Sequence, residues 1–311
     1  MSLLVTVPTD RLAANLGDVP DGVELKIWDF SSPAPSRRID IVVPPYMGGS
    51  DALSALEGLE VGLVQSQSIG YDGVADHLPS GLTFANAASV HEASTAELAL
   101  ALILAAQREL PRFVRAQARG EWEPVFADSL ADRRVLLVGF GGVGTAIARR
   151  LIPFETSVTA VARSARTEQV EGIGSVDVHG IDELPDLLPQ AEIVVLSLPG
   201  GAETEHLFGA EQIARMAPGA LLVNVGRGSL VDTDALVAAL GEGRIRAALD
   251  VFEQEPIPPQ HPLWTAPGLL ISPHGGGAST AMNPRIARLV RRQIERMLAG
   301  EPPLNVVLPA S

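Results

Sequence analysis

The chain has 311 residues, of which 46% are apolar, and its 23 basic and 37 acidic residues give a formal net charge of −14. This length predicts about two domains, and the apolar fraction excludes a disordered chain. The negative charge argues against a nucleic-acid partner or an anionic membrane surface. The sequence contains no cysteine, which excludes disulfides, thiolate metal sites and a cysteine nucleophile. We predict no metal site.

The N-terminal sequence MSLLVTVPTD lacks the basic start and long apolar core of a signal peptide. The longest apolar run, residues 98–106, is shorter than the roughly 20 residues needed to span a bilayer. We therefore expect a cytoplasmic protein without a membrane partner.

The first ninety residues alternate short apolar runs with turn-rich pieces. The predicted strands cover residues 3–7, 25–28, 39–43, 62–65 and 82–84. Strands that alternate with helical patterns predict a parallel sheet with helices on both faces. Some of the loops that follow these strands are candidates for ligand binding, because ligands of open α/β sheets bind at strand ends.

A second βα alternation follows a long Ala- and Leu-rich helix predicted over residues 93–118, which could link two domains or pack on a partner subunit. Its predicted strands cover residues 135–138, 157–161, 193–196, 221–224, 247–249 and 269–271. Six parallel strands describe a full dinucleotide-binding domain. The helix predicted over residues 284–299 carries a basic cluster that we interpret as a solvated face rather than an anion-binding surface. The cluster comprises Arg285, Arg288, Arg291, Arg292 and Arg296.

A glycine motif lies at the start of this second alternation. The apolar run VLLV predicts a strand buried on both faces, and Gly139, Gly141 and Gly144 follow it with the spacing G-x-G-x-x-G before a helical segment. The first glycine permits a tight turn, the second lets the backbone approach a pyrophosphate, and the third allows close helix–strand packing. The N-terminus of the helix favours anions. The motif therefore predicts dinucleotide binding.

The residues after the next predicted strand indicate which dinucleotide is bound. In NAD-specific domains an acidic residue roughly 20 positions beyond the glycines binds the ribose 2′-hydroxyl. Here Arg163, Ser164 and Arg166 occupy that place, and the first acid is Glu168. Arginine can pair with a 2′-phosphate through a bidentate contact. We predict NADP(H) as the preferred cofactor, with NAD(H) possible; the alternative is that these arginines only face solvent.

Three later motifs, NVGRG, DVFEQEP and SPHGGG, each place a charged or titratable residue just past a predicted strand. They contribute Arg227, Glu255 and His274 at the carboxyl edge of one sheet. Arginine suits a planar carboxylate, histidine suits proton exchange near neutral pH, and a carboxylate beside histidine favours its protonated form. The three residues together predict a catalytic site.

Together with GFGGVG, LSLPGGAET and PGALLVNVGRGSLVD, these motifs resemble the D-isomer-specific 2-hydroxyacid dehydrogenase family, including its glyoxylate and hydroxypyruvate reductases. The resemblance spans most of the chain. It implies an α/β protein in which a Rossmann domain with a doubly wound parallel sheet, residues 93–277, is inserted in a flavodoxin-like substrate domain, residues 1–92 and 278–311. It also implies an active site in the cleft between the domains, and a homodimer.

The resemblance assigns roles residue by residue. It makes His274 the proton donor to the substrate's 2-oxo group, Glu255 the residue that holds and charges that imidazole, and Arg227 the ligand of the substrate's carboxylate and carbonyl. Backbone N–H groups of Ile69 and Gly70 would hold the substrate carboxylate. The further residues implied at the cofactor are Thr95, Gly142, Val143, Leu198, Pro199, Val225, Gly226 and Asp250, the last as a contact of the nicotinamide carboxamide.

The expected reaction is the NADP(H)-dependent reduction of a small 2-oxo acid, such as glyoxylate or hydroxypyruvate, to the D-2-hydroxy acid. Two alternatives remain. A dinucleotide-sensing binding protein related to corepressors would keep the same three site residues, although the acidic charge favours the enzyme. An NAD-linked D-lactate or 3-phosphoglycerate dehydrogenase is the other, and Arg163 and Arg166 count against it.

Overall fold

The computed structural model describes residues 2–310, and the chain divides into two compact units. Unit 1 comprises Met1–His91 and Ser279–Ser311, and unit 2 comprises Glu92–Ala278. Because both ends of the chain belong to unit 1, unit 2 is an insertion in it. The inserted domain predicted from sequence, residues 93–277, differs from unit 2 by one residue at each boundary.

Regular structure alternates along both units. Within residues 2–310 the strands are β1 (Leu3–Val7), β2 (Val23–Ile27), β3 (Arg38–Val42), β4 (Glu60–Gln65), β5 (Phe84–Ala85), β6 (Arg134–Val138), β7 (Ser157–Ala162), β8 (Arg166–Val170), β9 (Gly174–Gly180), β10 (Ile193–Leu196), β11 (Leu221–Asn224), β12 (Arg246–Leu249), β13 (Leu269–Ile271) and β14 (Val306–Leu308). The α-helices of the same residues are α1 (Asp10–Leu16), α2 (Val74–His77), α3 (Glu92–Gln107), α4 (Leu110–Arg119), α5 (Gly142–Leu151), α6 (Leu184–Leu187), α7 (Ala210–Arg215), α8 (Thr233–Gly241) and α9 (Met282–Leu298).

Unit 1 is built on a sheet with the strand order β14-β5-β4-β3-β1-β2. The strands β1 to β5 are parallel, and β14 from the C-terminal tail pairs antiparallel with β5. The parallel order 2-1-3-4-5 is that of the flavodoxin-like fold. The C-terminal tail therefore returns to the first sheet. The strand predicted at residues 82–84 begins only at Phe84.

Apolar layers cover both faces of this sheet. On one face Leu12 of α1 and Ile286 and Val290 of α9 are buried in one cluster with the strand residues. The opposite cluster buries Trp28 together with Leu53, which belongs to a short 3₁₀-helix. Parallel strands covered on both faces must be apolar on both faces, which explains the near-continuous Val, Ile and Leu runs in the sequence.

Unit 2 holds a sheet with the order β13-β12-β11-β10-β6-β7-β9-β8. Six of its strands are parallel and lie in the order β9-β7-β6-β10-β11-β12, which is the Rossmann order 3-2-1-4-5-6. Next to β12, β13 adds a parallel edge strand. The predicted Rossmann fold is therefore confirmed. The prediction of six strands was incomplete, because it missed β8 and β9, which pair antiparallel with each other.

The single helix predicted over residues 93–118 was wrong. The structure ends α3 at Gln107 and begins α4 at Leu110, with Glu109 between them in the left-handed region at φ 55°. Pro111 explains the break, because proline is tolerated in the first turn of a helix but disrupts the interior. None of the helices between residues 2 and 310 is long and apolar enough to cross a membrane.

Candidate active site

The glycine turn joins β6 to α5. Gly139 has φ +106°, a conformation that L side chains rarely adopt, and its carbonyl accepts a hydrogen bond of 2.9 Å from Ser197 Oγ. A Cβ on Gly144 would overlap that carbonyl, whereas the space around Gly141 is open for at least 4 Å. No side chain caps α5, so the N–H groups of its first turn remain available for an anion. The turn fits the pyrophosphate of a dinucleotide.

Two neighbouring loops approach each other at the same sheet edge. Leu198 and Pro199 follow β10, and Val225 and Gly226 follow β11. A Cβ on Gly226 would lie 2.7 Å from the Leu198 carbonyl oxygen, so the close approach of the loops requires glycine. The amide side chain of Asn224 accepts the Gly226 N–H at 3.0 Å and keeps the turn tight. These four predicted cofactor residues therefore lie together.

Three further predicted cofactor residues lie on helices α3 and α5 of unit 2. Gly142 begins α5, close to the side chain of Glu92, and Val143 is its partly buried neighbour. Thr95 lies in α3, with its side chain 3.3 Å from the position of a Cβ on Gly276. Thr95 therefore packs against the glycine run that follows β13.

The predicted phosphate-binding residues follow β7. The side chain of Arg163 is 88% exposed and lies 3.7 Å from an exposed glutamate of the loop after β10, and Ser164 is exposed beside it. Arg166 donates to the backbone carbonyl of Phe140 at 2.9 Å and to Glu168 Oε2 at 2.7 Å. Phe140 stands between the first two motif glycines, so the Arg166 guanidinium is bonded to the glycine turn itself.

His274 and Glu255 form the centre of the site. His274 Nδ1 lies 2.6 Å from Glu255 Oε2, while Glu255 Oε1 accepts the N–H of Phe252 at 2.8 Å. The His274 backbone N–H donates to the Asp250 carbonyl at 2.8 Å. The imidazole is thus oriented through Nδ1, and Nε2 is the ring nitrogen that remains for proton exchange with a substrate.

The two groups shift each other's titration. The hydrogen bond to Glu255 raises the pKa of His274 above its ordinary value, aided by the charges of Glu255 and Asp250 and opposed by burial and by Arg227. Burial alone would raise the pKa of Glu255, but the hydrogen bonds from His274 and Phe252 N–H and the positive charges of His274 and Arg227 outweigh it and lower that pKa. The pair therefore favours an imidazolium beside a carboxylate.

Asp250 has a role that the sequence did not indicate. The residue is 2% exposed. Its Oδ1 accepts hydrogen bonds from Ser272 Oγ at 2.6 Å and from Gly275 N–H at 2.7 Å, and its Oδ2 accepts one from Gly276 N–H at 2.8 Å. Both oxygens therefore hold the loop on which His274 lies. A buried Asp after one strand and a glycine run after the next is the pattern that could have revealed this contact.

Arg227 is placed by its neighbours at the end of β11. Its backbone carbonyl accepts Asn224 Nδ2 at 2.8 Å, and its own Nη1 donates to the Gly226 carbonyl at 2.7 Å. A Cβ on Gly228 would overlap the carbonyl group of Phe252, so glycine here lets the Arg227 turn contact the loop that carries Glu255. Within residues 2–310 no three His, Asp or Glu side chains are grouped so that they could hold a metal ion.

Ile69 and Gly70 lie in unit 1, in the loop after β4. Asn86 Nδ2 donates to the Ile69 carbonyl at 2.9 Å, Gln65 Nε2 donates to the Asn86 carbonyl at 3.0 Å, and Gln293 Nε2 donates to Gln65 Oε1 at 2.7 Å. This chain of buried amides supports the loop and was missed in the sequence. The signal for it was amide side chains at the ends of otherwise apolar strands.

Comparison with known proteins identifies the family of this chain. The family model of the D-isomer specific 2-hydroxyacid dehydrogenase NAD binding domain matches residues 100–276. The chain is similar to the glyoxylate reductase of Korarchaeum cryptofilum, with 32% identity over 309 residues that cover 94% of this chain and 92% of that protein.

Two crystal structures share the whole fold. A D-isomer specific 2-hydroxyacid dehydrogenase family protein from Aeromonas salmonicida superposes with a TM-score of 0.85 at 27% identity, with 99% of both chains covered. A D-isomer specific 2-hydroxyacid dehydrogenase from Xanthobacter autotrophicus Py2, in complex with NADPH and MES, superposes with a TM-score of 0.81 at 31% identity, covering 99% of this chain and 98% of that one. The chain is an enzyme that binds a nicotinamide dinucleotide and belongs to the D-isomer-specific 2-hydroxyacid dehydrogenase family.

Proposed function

We propose that this enzyme reduces a small 2-oxo acid, with glyoxylate and hydroxypyruvate as the leading candidates, to the D-2-hydroxy acid at the expense of NADPH. The observation that carries the proposal is the 2.6 Å hydrogen bond between His274 Nδ1 and Glu255 Oε2, at the sheet edge that also carries Arg227 and the glycine turn. The glyoxylate reductase of Korarchaeum cryptofilum supports a small substrate.

The proposed chemistry divides between the side chains and the cofactor. The bound nicotinamide supplies the hydride that reduces the carbonyl carbon. His274 donates its Nε2 proton to the carbonyl oxygen, and Glu255 stabilises the imidazolium before the transfer. Arg227 offers its guanidinium to the substrate carboxylate and to the negative charge that develops on the carbonyl oxygen. Asp250 acts through its hydrogen bonds, which hold the loop of His274 in place.

NADP(H) is proposed as the preferred cofactor on the position of Arg163 and Arg166. Arg166 is bonded to the carbonyl of Phe140 in the glycine turn, and Arg163 follows the strand that in NAD-specific domains ends near an acid. The NADPH complex of the Xanthobacter enzyme supports this choice. Glu168 opposes it, since its carboxylate pairs with Arg166 at 2.7 Å and would have to share that guanidinium with a phosphate.

We also propose that the enzyme is a homodimer. Unit 2 exposes large apolar side chains on α4 and just after it: Val114 is 65% exposed, Trp122 94% and Phe126 109%. Aromatic side chains exposed to this extent are typical of a surface that packs on a partner. A second copy of the chain is the partner we propose, because soluble homo-oligomers most often form two-fold dimers in which both subunits contribute the same surface patch.

The His274→Gln substitution tests the proposed reaction. Glutamine still hydrogen-bonds to Glu255 but carries no transferable proton, so NADPH-linked turnover of glyoxylate should fall by about 10²- to 10⁴-fold, while NADPH binding followed by fluorescence stays unchanged. His261→Gln, which alters a histidine that only caps a 3₁₀-helix, should turn over normally. Wild-type rates in His274→Gln would contradict the proposal, and tight NADPH binding without any turnover of the native enzyme would favour the sensing alternative.

Cofactor preference is tested by the double substitution Arg163→Ala and Arg166→Ala. Loss of two charge-assisted contacts to the 2′-phosphate should raise the KM for NADPH by at least about tenfold and leave the KM for NADH nearly unchanged. Arg134→Ala removes an exposed arginine at the start of β6, the end remote from the glycine turn. It should change the KM of neither cofactor. Equal losses with both cofactors would rule out the phosphate contact.

The oligomeric state is tested by analytical ultracentrifugation of the double variant Trp122→Ser and Phe126→Ser. The native enzyme should sediment as a dimer and the variant as a folded monomer, because the substitutions remove the most exposed apolar surface. Phe154→Ser, at a 40% exposed phenylalanine elsewhere in unit 2, should remain dimeric. A monomeric native enzyme, or a double variant that still dimerises fully, would show that this surface is not the interface.

A further inference from the structure

The structure divides the five arginines of the basic cluster on α9 into two groups. Arg291 donates to the backbone carbonyls of Leu16 and Asp18, and Arg296 pairs with Glu301 at 2.9 Å. Arg291 therefore joins α9 to the end of α1, and Arg296 joins it to the segment that follows α9. The sequence interpretation of one uniform solvated face therefore does not describe them.

The remaining three arginines surround a cavity within unit 1. Arg285, Arg288 and Arg292 line it together with Ser89 and Leu289, and its volume is about 390 Å³. Such a volume lies in the range of small-molecule sites, about 300–1,000 Å³. Arg285 Nη1 donates to the Val90 carbonyl at 3.3 Å, which holds one guanidinium against the segment that carries Ser89.

The charge of this cavity runs against that of the whole protein. The chain has 37 acidic and 23 basic residues, and most of its other arginines lie within 4 Å of a carboxylate oxygen. Within residues 2–310 no carboxylate lies within 4 Å of the guanidinium of Arg285, Arg288 or Arg292. Their spacing of three and four residues puts them on one face of α9, where like charges at this spacing destabilise a helix.

The backbone beside the arginines is strained as well. Ser89 adopts φ +79°, in the left-handed region that non-glycine residues seldom occupy. Strain of this kind persists where the surrounding structure imposes it and is concentrated at ligand sites. An unneutralised set of three guanidinium groups and a strained serine thus line the same cavity.

We propose that this cavity binds a small multivalent oxyanion, a phosphorylated or polycarboxylic metabolite, at residues other than those of the active site. Guanidinium groups bind phosphate and carboxylate oxygens in bidentate geometry, and three of them match the charge of a ligand with two or three negative charges. The ligand would supply the counter-charge that the protein does not provide. The site is independent of the proposed reaction, because none of its residues takes part in it.

Isothermal titration calorimetry with pyrophosphate and, separately, citrate tests this site. The enzyme is first saturated with NADPH so that the glycine turn is occupied, and titrations are run at low and high NaCl. Three proteins are compared: the native enzyme, Arg288→Gln with Arg292→Gln, and a matched control, Arg149→Gln with Arg215→Gln. The control loses the same charge from exposed arginines of unit 2.

The native enzyme and the control should bind at least one anion with a stoichiometry of one per chain, and the Arg288 and Arg292 variant at least about tenfold more weakly. Added salt should weaken binding, because Arg288 and Arg292 are exposed to solvent. Tighter binding of pyrophosphate assigns the site to phosphorylated ligands, and tighter binding of citrate to polycarboxylates. No binding of either anion to the native enzyme, or equal affinity in the Arg288 and Arg292 variant at an unchanged melting temperature, overturns the proposal.

Discussion

Three hydrogen bonds to the Asp250 carboxylate fold the loop after β13 onto the end of β12, and the geometry of the site depends on them. A buried carboxylate is costly unless its oxygens are satisfied, so Asp250 and the N–H groups of Gly275 and Gly276 stabilise one arrangement of this loop. The His274 N–H adds a fourth bond, to the Asp250 carbonyl, and His274 takes φ +53°. The imidazole is thereby brought to Glu255.

Charged groups near the loop after β13 have opposing effects on the pKa of His274. Glu255 favours the imidazolium form of His274, while Arg227 disfavours it, and the hydrogen bond to Glu255 is the largest contribution. Arg227 can therefore lie near His274 while the pKa of the imidazole stays raised. The same principle of neutralisation distinguishes the arginines of α9, where Arg296 has a carboxylate partner and Arg288 has none among residues 2–310.

Much of the fold and of the candidate site could be predicted because both follow local rules. The VLLV strand and the glycine spacing identify a Rossmann turn, and the carboxyl ends of parallel strands meet at one edge, which brings Arg227 together with the His–Glu pair. Other features depend on contacts that no local pattern encodes. The edge strand β8 and its neighbour β9 have polar, half-exposed sequences. The loop-holding role of Asp250 joins residues 22 to 26 positions apart. Pro111 is the local signal for the break between α3 and α4, whereas the Ala- and Leu-rich sequence before it favours one continuous helix.

The most direct test of the account is the pH dependence of kcat/KM for 2-oxo acid reduction in the native enzyme and in Glu255→Gln. The proton donor is present below the pKa of His274, so the rate should fall as the pH rises through that raised pKa. Glu255→Gln removes the main cause of the upward shift, so its falling limb should move to lower pH. A limb at the same pH in both proteins would contradict the claim that Glu255 keeps His274 charged for proton donation.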